Sequence, residues 1–581
     1  MPGDEPSGWA GVAAQHPRVC GVLAGFCFGF LMALAYPPVW LWGMVFLAPL
    51  PLVWVSWFCR RAPVTTAFWC AIGVCPWWAL AHIWVAHVSA FGLVPLVIVL
   101  SACTGLALWA AALTHRRLAW SLVLWPVIWV GVDFFRGQIL ANGYAWYFLA
   151  HPLADQRWLS WPAAVVGTYG VSLLVTLPSV ALIAWMVGRR RTAFGLTAAC
   201  VAWAWAGLVV HPWPAPVGSM RVGVVQTNVP QSVKLDWSMG QRYDDWQAMR
   251  RLIVAAGKER PDVIVLPEAM SPGWTLDAVS LAHERDMMLD FVRQGPDGVL
   301  DRYPVTEMAD ELIVLQGALD IPILIGGPGY RNLRIRPDEH GAFWFDADEK
   351  FNSVFLVEHG RAPTKQYDKV ALTPFGEYMP YISAWPWLER RLLGLGASGM
   401  SFELDRGHSY QPMDVVLGDG RTIEVATPVC FEATMPSVCR RLVGRPGSAE
   451  VMMNLTNDGW FGAWMPGRQH HLLTARWRCI ELGVPMVRSA NTGICAAFDE
   501  QGRLVGQGVV DPATGTRGFA MLEGVAVYEV PLVEGRTIYA ETGDILGWGC
   551  LASAGGVVLL SALRGRSNPR EVRTGANRDL I

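Results

Sequence analysis

The sequence predicts two structural parts, a multi-span α-helical membrane domain followed by a layered α/β domain. The chain has 581 residues, which exceeds the usual size of one domain. Charged residues make up only 16% of it and hydrophobic residues 53%. Most Asp, Glu and Lys lie between Met220 and Glu541, whereas the first ~215 residues form a series of apolar segments, each near the ~20-residue length that spans a bilayer. An integral membrane protein with one large polar domain is expected.

The apolar segments predict about seven spans within residues 1–215 and one more at 545–563. The candidate spans are 19–36, 38–58, 64–86, 91–113, 119–135, 162–187, 193–211 and 545–563. Basic residues stand at alternate connections: Arg18, then Arg60 and Arg61, Arg116 and Arg117, Arg189 to Arg191, and Arg564, Arg566 and Arg570. Under the positive-inside rule these connections are cytoplasmic. Both termini, including the tail 564–581, are therefore expected inside, and the domain at 218–540 outside, in the periplasm of a Gram-negative cell.

A competing interpretation concerns the first apolar segment. Residues 19–35, which end in Ala33-Leu34-Ala35, also fit a cleavable signal peptide. Against it, the segment continues directly into a second hydrophobic stretch rather than into a polar mature domain. Cleavage leaves every later orientation unchanged.

The polar domain alternates short β-rich runs with helical patterns. Several runs are continuously apolar, as expected of strands that are buried on both faces. The β-rich runs include RVGVVQ (221–226), DVIVLPE (262–268), IPILIGG (321–327), NSVFLVE (352–358), TIEVATPVC (422–430) and EVMMNLT (450–455). Helical patterns at 244–259 and 469–483 lie between them. This alternation predicts sheets that are covered by helices.

Composition excludes several classes of function. The net charge of -2 and the lack of a basic, aromatic-rich cluster argue against nucleic-acid binding. The cysteines of the polar domain, Cys430, Cys439, Cys479 and Cys495, form no CxxC pair, so neither a metal knuckle nor a disulfide framework is indicated. We expect no metal and no cofactor.

Three polar residues follow apolar runs and have complementary chemistry. Glu268 closes VIVLPE, Cys430 closes EVATPVC, and Lys369 lies in QYDKVALTPFGEYMP. Each alone fits a bland role, because strand ends normally carry charges and free cysteine is often core filler. Together they supply a nucleophilic thiol, a carboxylate to take its proton, and a cation for the oxyanion that attack on a carbonyl creates. The three residues predict covalent acyl chemistry.

These residues stand in motifs that resemble the nitrilase (carbon–nitrogen hydrolase) superfamily, and most closely its apolipoprotein N-acyltransferase family. The motifs, which follow one another in the family's order, are VVQTNVPQSVKLDW (224–237), VLPE (265–268), YDKVALTPFGEYMP (367–380), VCFE (429–432), NLTNDGWFG (454–462) and RSANTGICAAFD (488–499). The resemblance implies an α-β-β-α sandwich with a Glu-Lys-Cys triad. It assigns Glu268 as general base, Lys369 as oxyanion stabiliser and Cys430 as nucleophile.

The resemblance also implies supporting residues. Glu377 matches a second glutamate that supports the lysine, and Phe431 and Glu432 match the positions beside the nucleophile. Trp237 matches a tryptophan near the substrate entrance. Phe375 and Trp460 are candidates to line the substrate cleft, although both also fit ordinary core aromatics.

The sequence departs from the family pattern at several positions. Phe431 replaces a common tyrosine, Thr227 a common glycine and Gly459 a common alanine. The region 280–350 is longer than typical. None of these departures touches the triad.

The activity that the resemblance implies is an acyl transfer in the last step of lipoprotein maturation. A fatty acyl chain passes from a phospholipid, through a Cys430 thioester, to the N-terminal amine of a diacylglyceryl-cysteine lipoprotein, at the inner membrane. One alternative is a membrane-tethered amidase or hydrolase with water as the acceptor. A second is a transporter or lipid receptor, which the scarcity of charges within the spans disfavours, with Asp133 as the main exception.

Overall fold

The structure is a computed structural model. It describes residues 11, 14–88, 90–118, 121–230, 238–294, 298–337, 343–379, 381–382, 385, 387, 391, 404–444 and 449–566. These residues form two compact units. The first unit comprises Met1–Ile83, Phe91–Val210 and Asp544–Ile581, and the second comprises Trp84–Ala90 and His211–Gly543.

The first unit consists of apolar helices. Its α-helices are α1 (Pro17–Ala35), α2 (Pro49–Phe58), α3 (Pro63–Ala81), α5 (Ala90–Arg117), α6 (Trp125–Phe134), α7 (Arg157–Ser160), α8 (Ala163–Met186), α9 (Arg190–Ala206) and α16 (Ile545–Arg566); α4 (Val85–Val88) is a short helix of the second unit. Short 3₁₀ segments at Trp42–Phe46, Ser121–Leu124, Leu140–Asn142 and His151–Leu153, and a π segment at Phe135–Ile139, connect them.

Six helices are long and apolar enough to cross a membrane among the described residues: Pro17–Ala35, Pro63–Ala81, Gly92–Arg117, Ser121–Asn142, Ala163–Met186 and Ile545–Leu563. A shorter apolar helical segment runs from Trp42 to Phe58, and α9 has 17 residues. The expectation of a membrane protein agrees with these helices, whereas the number of spans and their orientation stay predictions.

Small residues let α1 and α3 pack closely. A Cβ on Gly25 would lie 2.3 Å from the carbonyl oxygen of Cys70, and one on Gly73 would lie 2.2 Å from that of Val22. Such backbone approach is the usual means of helix association where lipid removes the hydrophobic driving force.

The charge of Asp133 is compensated inside the first unit. The Arg136 guanidinium contacts the Asp133 carboxylate at 3.0 Å and donates to the carbonyl oxygen of Trp146 at 2.7 Å. Both residues are buried. The carboxylate that stood out among the predicted spans is thus one half of a structural ion pair.

Two mixed sheets form the centre of the second unit. Their strands are β1 (Pro216–Gln226), β2 (Val263–Val265), β5 (Ile323–Arg331), β8 (Glu349–Val357), β9 (Gln366–Asp368), β10 (Met413–Val416), β11 (Thr422–Ala426), β12 (Val451–Thr456), β13 (Met486–Ala490), β14 (Ala496–Phe498), β15 (Leu504–Gln507), β16 (Val509–Val510), β17 (Arg517–Gly518) and β18 (Gly524–Val533). The orders are β17-β16-β18-β1-β2-β5-β8-β9 and β10-β11-β12-β13-β14-β15. The central runs β1-β2-β5 and β11-β12-β13 are parallel.

Helices cover the outer faces of the two sheets. The helices of this unit are α10 (Met239–Lys258), α11 (Ala278–Asp286), α12 (Glu307–Leu319), α13 (Pro436–Val443), α14 (Met465–Leu482) and α15 (Ile538–Thr542). One core joins the apolar sides of α10 and α12 to the first sheet through residues such as Trp246, Leu312 and Ile264. The sheets face each other, since the Ser489 hydroxyl of β13 donates to the Val225 carbonyl of β1 at 3.1 Å. The expected α-β-β-α sandwich is confirmed.

The region 280–350 contains two small hairpins outside the main sheets. One pairs β3 (Asp290–Gln294) with β4 (Leu300–Pro304), and the other pairs β6 (Arg334–Pro337) with β7 (Phe343–Asp346). These hairpins are separate from the two main sheets, and the expectation that this region is longer than typical stays a prediction.

Candidate active site

A buried chain of opposite charges joins residues that follow β2 and β9 of the sandwich. The Lys369 ammonium, which directly follows β9, lies 3.3 Å from Glu268 Oε1 and 2.9 Å from Glu377 Oε1. Lys369 is 1% exposed and Glu268 6% exposed. Residues that are separated by about a hundred positions in sequence meet here because β2, β5, β8 and β9 are neighbours in one sheet.

Two asparagines fix the carboxylates of this chain. The Asn352 amide donates to Glu268 Oε1 at 2.8 Å and to Glu377 Oε1 at 3.1 Å. The backbone N–H of Asn457 donates to Glu268 Oε2 at 2.9 Å, and that of Thr373 to Glu377 Oε2 at 2.8 Å. Because each carboxylate oxygen has a donor, both side chains are held in one orientation.

Cys430 lies on a strained turn after β11. It begins the 3₁₀ segment Cys430–Thr434, and its φ is 49°, a conformation that costs a non-glycine residue about 1–3 kcal/mol. Ala269, next to Glu268, and Phe375, near Glu377, also have positive φ values, of 53° and 59°. Strained backbone at all three corners of one site is typical of positions that are fixed for chemistry.

Electrostatics keep the Cys430 thiol neutral in the resting protein. Burial and the nearby Glu268 carboxylate raise its pKa to about 12, although Lys369 and a hydrogen bond from Thr456 act in the opposite direction. Burial alone would lower the pKa of Lys369, but the carboxylates of Glu377 and Glu268 outweigh it and raise that pKa. Lys369 is therefore a cation here, and the Cys430 thiol becomes a strong nucleophile only if a base takes its proton.

Glu432 connects the cysteine turn to the lysine loop. Its carboxylate accepts from the backbone N–H groups of Val429, Val370 and Ala371 at 2.8, 2.8 and 2.9 Å, and from the Tyr367 hydroxyl. Burial raises the pKa of Glu432 to about 7 against the pull of these donors. Glu432 thus positions the two loops that carry Cys430 and Lys369.

A second buried network supports the cysteine from the other side. The Arg488 guanidinium contacts the Asp458 carboxylate at 2.7 and 2.9 Å, and His471 Nδ1 lies 2.9 Å from Asp458 Oδ1. The His471 ring also makes a hydrogen bond to the backbone of Cys430. Arg488 further donates to the Asn454 side chain at 2.6 Å. Burial would raise the pKa of Asp458, but Arg488 and His471 hold it well below the usual range.

The remaining candidate residues differ in their positions. Phe431 is buried beside Cys430 in the first turn of the 3₁₀ segment, where backbone N–H groups have no partner within the helix. Phe375 is 52% exposed and Trp460 is half-buried, which suits neither residue to ordinary core packing. Trp237 lies outside the described residues. The roles of all these residues stay predictions.

Sequence reasoning missed the residues that hold the triad in place. Asn352, Asn457, Asp458, His471 and Arg488 received no role, although Asn457 and Asp458 belong to NLTNDGWFG and Arg488 begins RSANTGICAAFD. The consecutive polar residues Asn457 and Asp458 directly after the buried strand β12 were the available signal. Nothing in the sequence indicated His471, because its partners come from other elements. No group of His, Cys, Asp and Glu suited to a metal ion occurs within the described parts of the chain.

Comparison with known proteins identifies the family to which the chain belongs. Residues 221–519, about half of the chain, match the carbon-nitrogen hydrolase family, and the chain belongs to that family. Residues 28–181 match the apolipoprotein N-acyltransferase N-terminal domain. Both parts of the chain are therefore similar to those of apolipoprotein N-acyltransferases.

Individual relatives extend this similarity over most of the chain. The apolipoprotein N-acyltransferase of Geobacter metallireducens is 27% identical over 92% of this chain and 94% of the relative. That of Bordetella bronchiseptica is 29% identical over 78% of this chain and 76% of the relative. Among solved structures, an amidase from Nesterenkonia sp. aligns with a TM-score of 0.31 and 13% identity, over 56% of this chain and 94% of that chain. A likeness of that strength supports no conclusion about function.

Proposed function

We propose that this protein is an acyltransferase that moves a fatty acyl chain from a membrane phospholipid to the N-terminal amine of a diacylglyceryl-cysteine lipoprotein. The observation that carries the proposal is the buried Glu268–Lys369–Glu377 chain beside the strained Cys430, in a protein whose described residues include six membrane-length helices. The similarity to apolipoprotein N-acyltransferases along the chain supports the same substrate class.

The first half-reaction transfers the acyl chain to Cys430. Two carboxylates and one ammonium already give the cluster one net negative charge, so a free thiolate beside them is disfavoured. The thiol proton therefore passes to Glu268 as the sulfur attacks the ester carbonyl. Lys369 and the backbone N–H of Phe431 stabilise the oxyanion, each such donor being worth about 3–4 kcal/mol. Collapse of this intermediate breaks the ester bond and releases a lysophospholipid, whose oxygen takes the proton from Glu268.

The second half-reaction passes the acyl chain to an amine. Glu268 is a carboxylate again and takes a proton from the nitrogen of the neutral α-amine as that nitrogen attacks the thioester carbonyl. The same oxyanion donors act a second time, and the thiol leaves with the proton. No step needs a metal or a nucleotide, because an ester and a thioester are activated enough for covalent catalysis.

The lipid substrates account for the apolar helices. A diacyl phospholipid and a diacylated lipoprotein both stay in the bilayer, so an enzyme that joins them gains from being fixed there. We place the protein in the bacterial inner membrane with both termini cytoplasmic and the domain at 218–540 in the periplasm. The arginines at alternate connections support this orientation.

Intact-mass analysis of the full-length protein tests the first half-reaction. Incubation with phospholipid is expected to add one fatty-acyl mass to the wild type and none to Cys430→Ala. Cys27→Ala is the matched control, because Cys27 is an exposed cysteine of α1 that plays no part in the cluster. Equal labelling of wild type and Cys430→Ala would move the nucleophile elsewhere.

The acceptor is tested in the same preparation. Addition of a diacylated lipopeptide with a free α-amine is expected to remove the acyl group from the protein and add it to the peptide, whereas an N-acetylated lipopeptide does not react. Release of free fatty acid at the same rate with and without the lipopeptide would instead identify a hydrolase.

A further inference from the structure

We infer that Arg468 and the first turn of α14 form a binding site for the phosphodiester of the acyl donor, next to Cys430. The inference deepens the proposed function and rests on it, because it names the group by which the phospholipid is recognised. The evidence lies in a buried guanidinium that the fold leaves without a partner.

Arg468 is only 2% exposed, yet its Nε and Nη1 are buried and make no hydrogen bond within the described residues. The two other fully buried arginines of this region have carboxylate partners. Arg478 contacts Glu481 at 3.0 Å, and Arg488 contacts Asp458 at 2.7 Å. Burial of a cation without a partner is costly, so an arginine in this state is expected to serve a ligand.

The carboxylate that interacts electrostatically with Arg468 already has other hydrogen-bond partners. Burial lowers the pKa of Arg468, and Asp458 is the one charged group that opposes this effect. Both oxygens of Asp458 accept from Arg488, and one of them also lies against His471. The positive charge of Arg468 is therefore left for a group from outside this network.

The position of Arg468 on α14 directs it toward the reacting cysteine. Residues three apart lie on one face of a helix, so Arg468 shares a face with His471, the residue that contacts Asp458 and the Cys430 backbone. Helical side chains incline toward the N-terminus, which brings the guanidinium to the first turn. That turn begins at Met465 without a side-chain cap, so the positive end of the helix dipole adds to the charge.

The substrates of the proposed reaction decide which anion fits. The phospholipid donor has a permanently charged phosphodiester near its ester bonds, whereas the reacting end of the acceptor is an amine. A guanidinium with free N–H groups matches phosphate oxygens in geometry and charge. The site therefore acts in the first half-reaction, and it loses its ligand when the lysophospholipid leaves.

Donor discrimination in the full-length protein tests this site. Cys430 acylation is followed by intact mass with phosphatidylglycerol and with diacylglycerol of the same acyl chains, the second of which lacks phosphate. We expect the phosphatidylglycerol-to-diacylglycerol rate ratio to fall roughly tenfold to a hundredfold in Arg468→Met, the range that a charge-assisted hydrogen bond supplies. Arg468→Lys is expected to keep part of the ratio. Arg250→Met, which alters an exposed arginine of α10, is expected to keep all of it.

Melting temperatures distinguish ligand binding from a structural role. Loss of an unpaired buried charge is expected to leave the melting temperature of Arg468→Met equal to or above that of the wild type. A lower melting temperature, with both donors slowed equally, would overturn the inference. An unchanged rate ratio would overturn it too. If inorganic phosphate raises the melting temperature only when Arg468 is present while the rate ratio is unchanged, the site binds a free anion and the donor assignment is wrong.

The design separates this inference from the proposed function. Absence of acylation of the wild type by either lipid would contradict the proposed function itself. Normal wild-type acylation with an Arg468→Met variant that discriminates like the wild type would contradict the phosphate site alone.

Discussion

The substitution Glu268→Gln is expected to have opposite effects on two properties of Cys430. It removes the base that takes the thiol proton, so acylation by phospholipid should slow. It also removes a negative charge that raises the thiol pKa, so the thiolate should form at lower pH. A residue that only maintains the structure would not produce this pair of changes.

The magnitude follows from the thiol pKa of about 12. The five pH units between 7 and 12 correspond to about 7 kcal/mol for forming a free thiolate at neutral pH. Transfer of the proton to Glu268 during attack avoids this intermediate, and general-base catalysis typically contributes a factor of 10²–10⁴. We therefore expect the acylation rate of Glu268→Gln to fall by about that factor.

The structure also sets the side effect of this change. In the wild type, the backbone N–H of Asn457 donates to Glu268 at 2.9 Å. A glutamine keeps an oxygen toward Asn352 and Lys369, but its NH₂ group then faces this N–H, which loses its acceptor. An unpaired buried N–H costs about 1–3 kcal/mol, so a modest loss of stability is expected.

Two assays read the two effects. Intact-mass kinetics with phospholipid give the acylation rate, and alkylation of Cys430 by iodoacetamide across pH gives the thiol pKa, with Cys430→Ala as the blank. Acylation of Glu268→Gln at the wild-type rate, or an alkylation profile that moves to higher pH, would refute this account of the site.

Three further changes test the supporting network. Asp458→Asn leaves a buried arginine without its carboxylate and should cost about 3–5 kcal/mol. The folded-state pKa of Asp458 is depressed, so the stability that Asp458 contributes is present above its unfolded-state pKa and is lost as the pH falls below that pKa. The free energy of unfolding in urea should therefore depend less on acid pH in the variant than in the wild type. The same dependence in both proteins would contradict the ion pair. His471→Phe keeps the ring volume but removes the hydrogen bonds to Asp458 and to the Cys430 backbone, so acylation should slow about tenfold at unchanged donor KM, and a change confined to KM would count against positioning. Glu377→Gln leaves Lys369 with one carboxylate partner, which strengthens the pairing of Lys369 with Glu268. The rate constant of single-turnover acylation should therefore fall by about tenfold to a hundredfold.

The sequence by itself determined the class of each part of the chain and predicted which groups react. Apolar segments of ~20 residues are typical of membrane spans, and short, continuously apolar runs are typical of strands in covered sheets, so composition and period indicated both parts. Cys430, Lys369 and Glu268 were recognisable only together, because a thiol, a cation and a carboxylate have complementary chemistry and stand in motifs that follow a known family's order.

Only the tertiary structure decided how those groups are held and charged. Asn352 bridges two carboxylates because β8 lies beside β5 and β9, and His471 reaches Cys430 because α14 packs against the segment Cys430–Thr434. The raised thiol pKa and the unpartnered Arg468 likewise depend on burial and on neighbours that are distant in sequence. Spacing along a chain does not encode these distances, since they are set by which elements pack together.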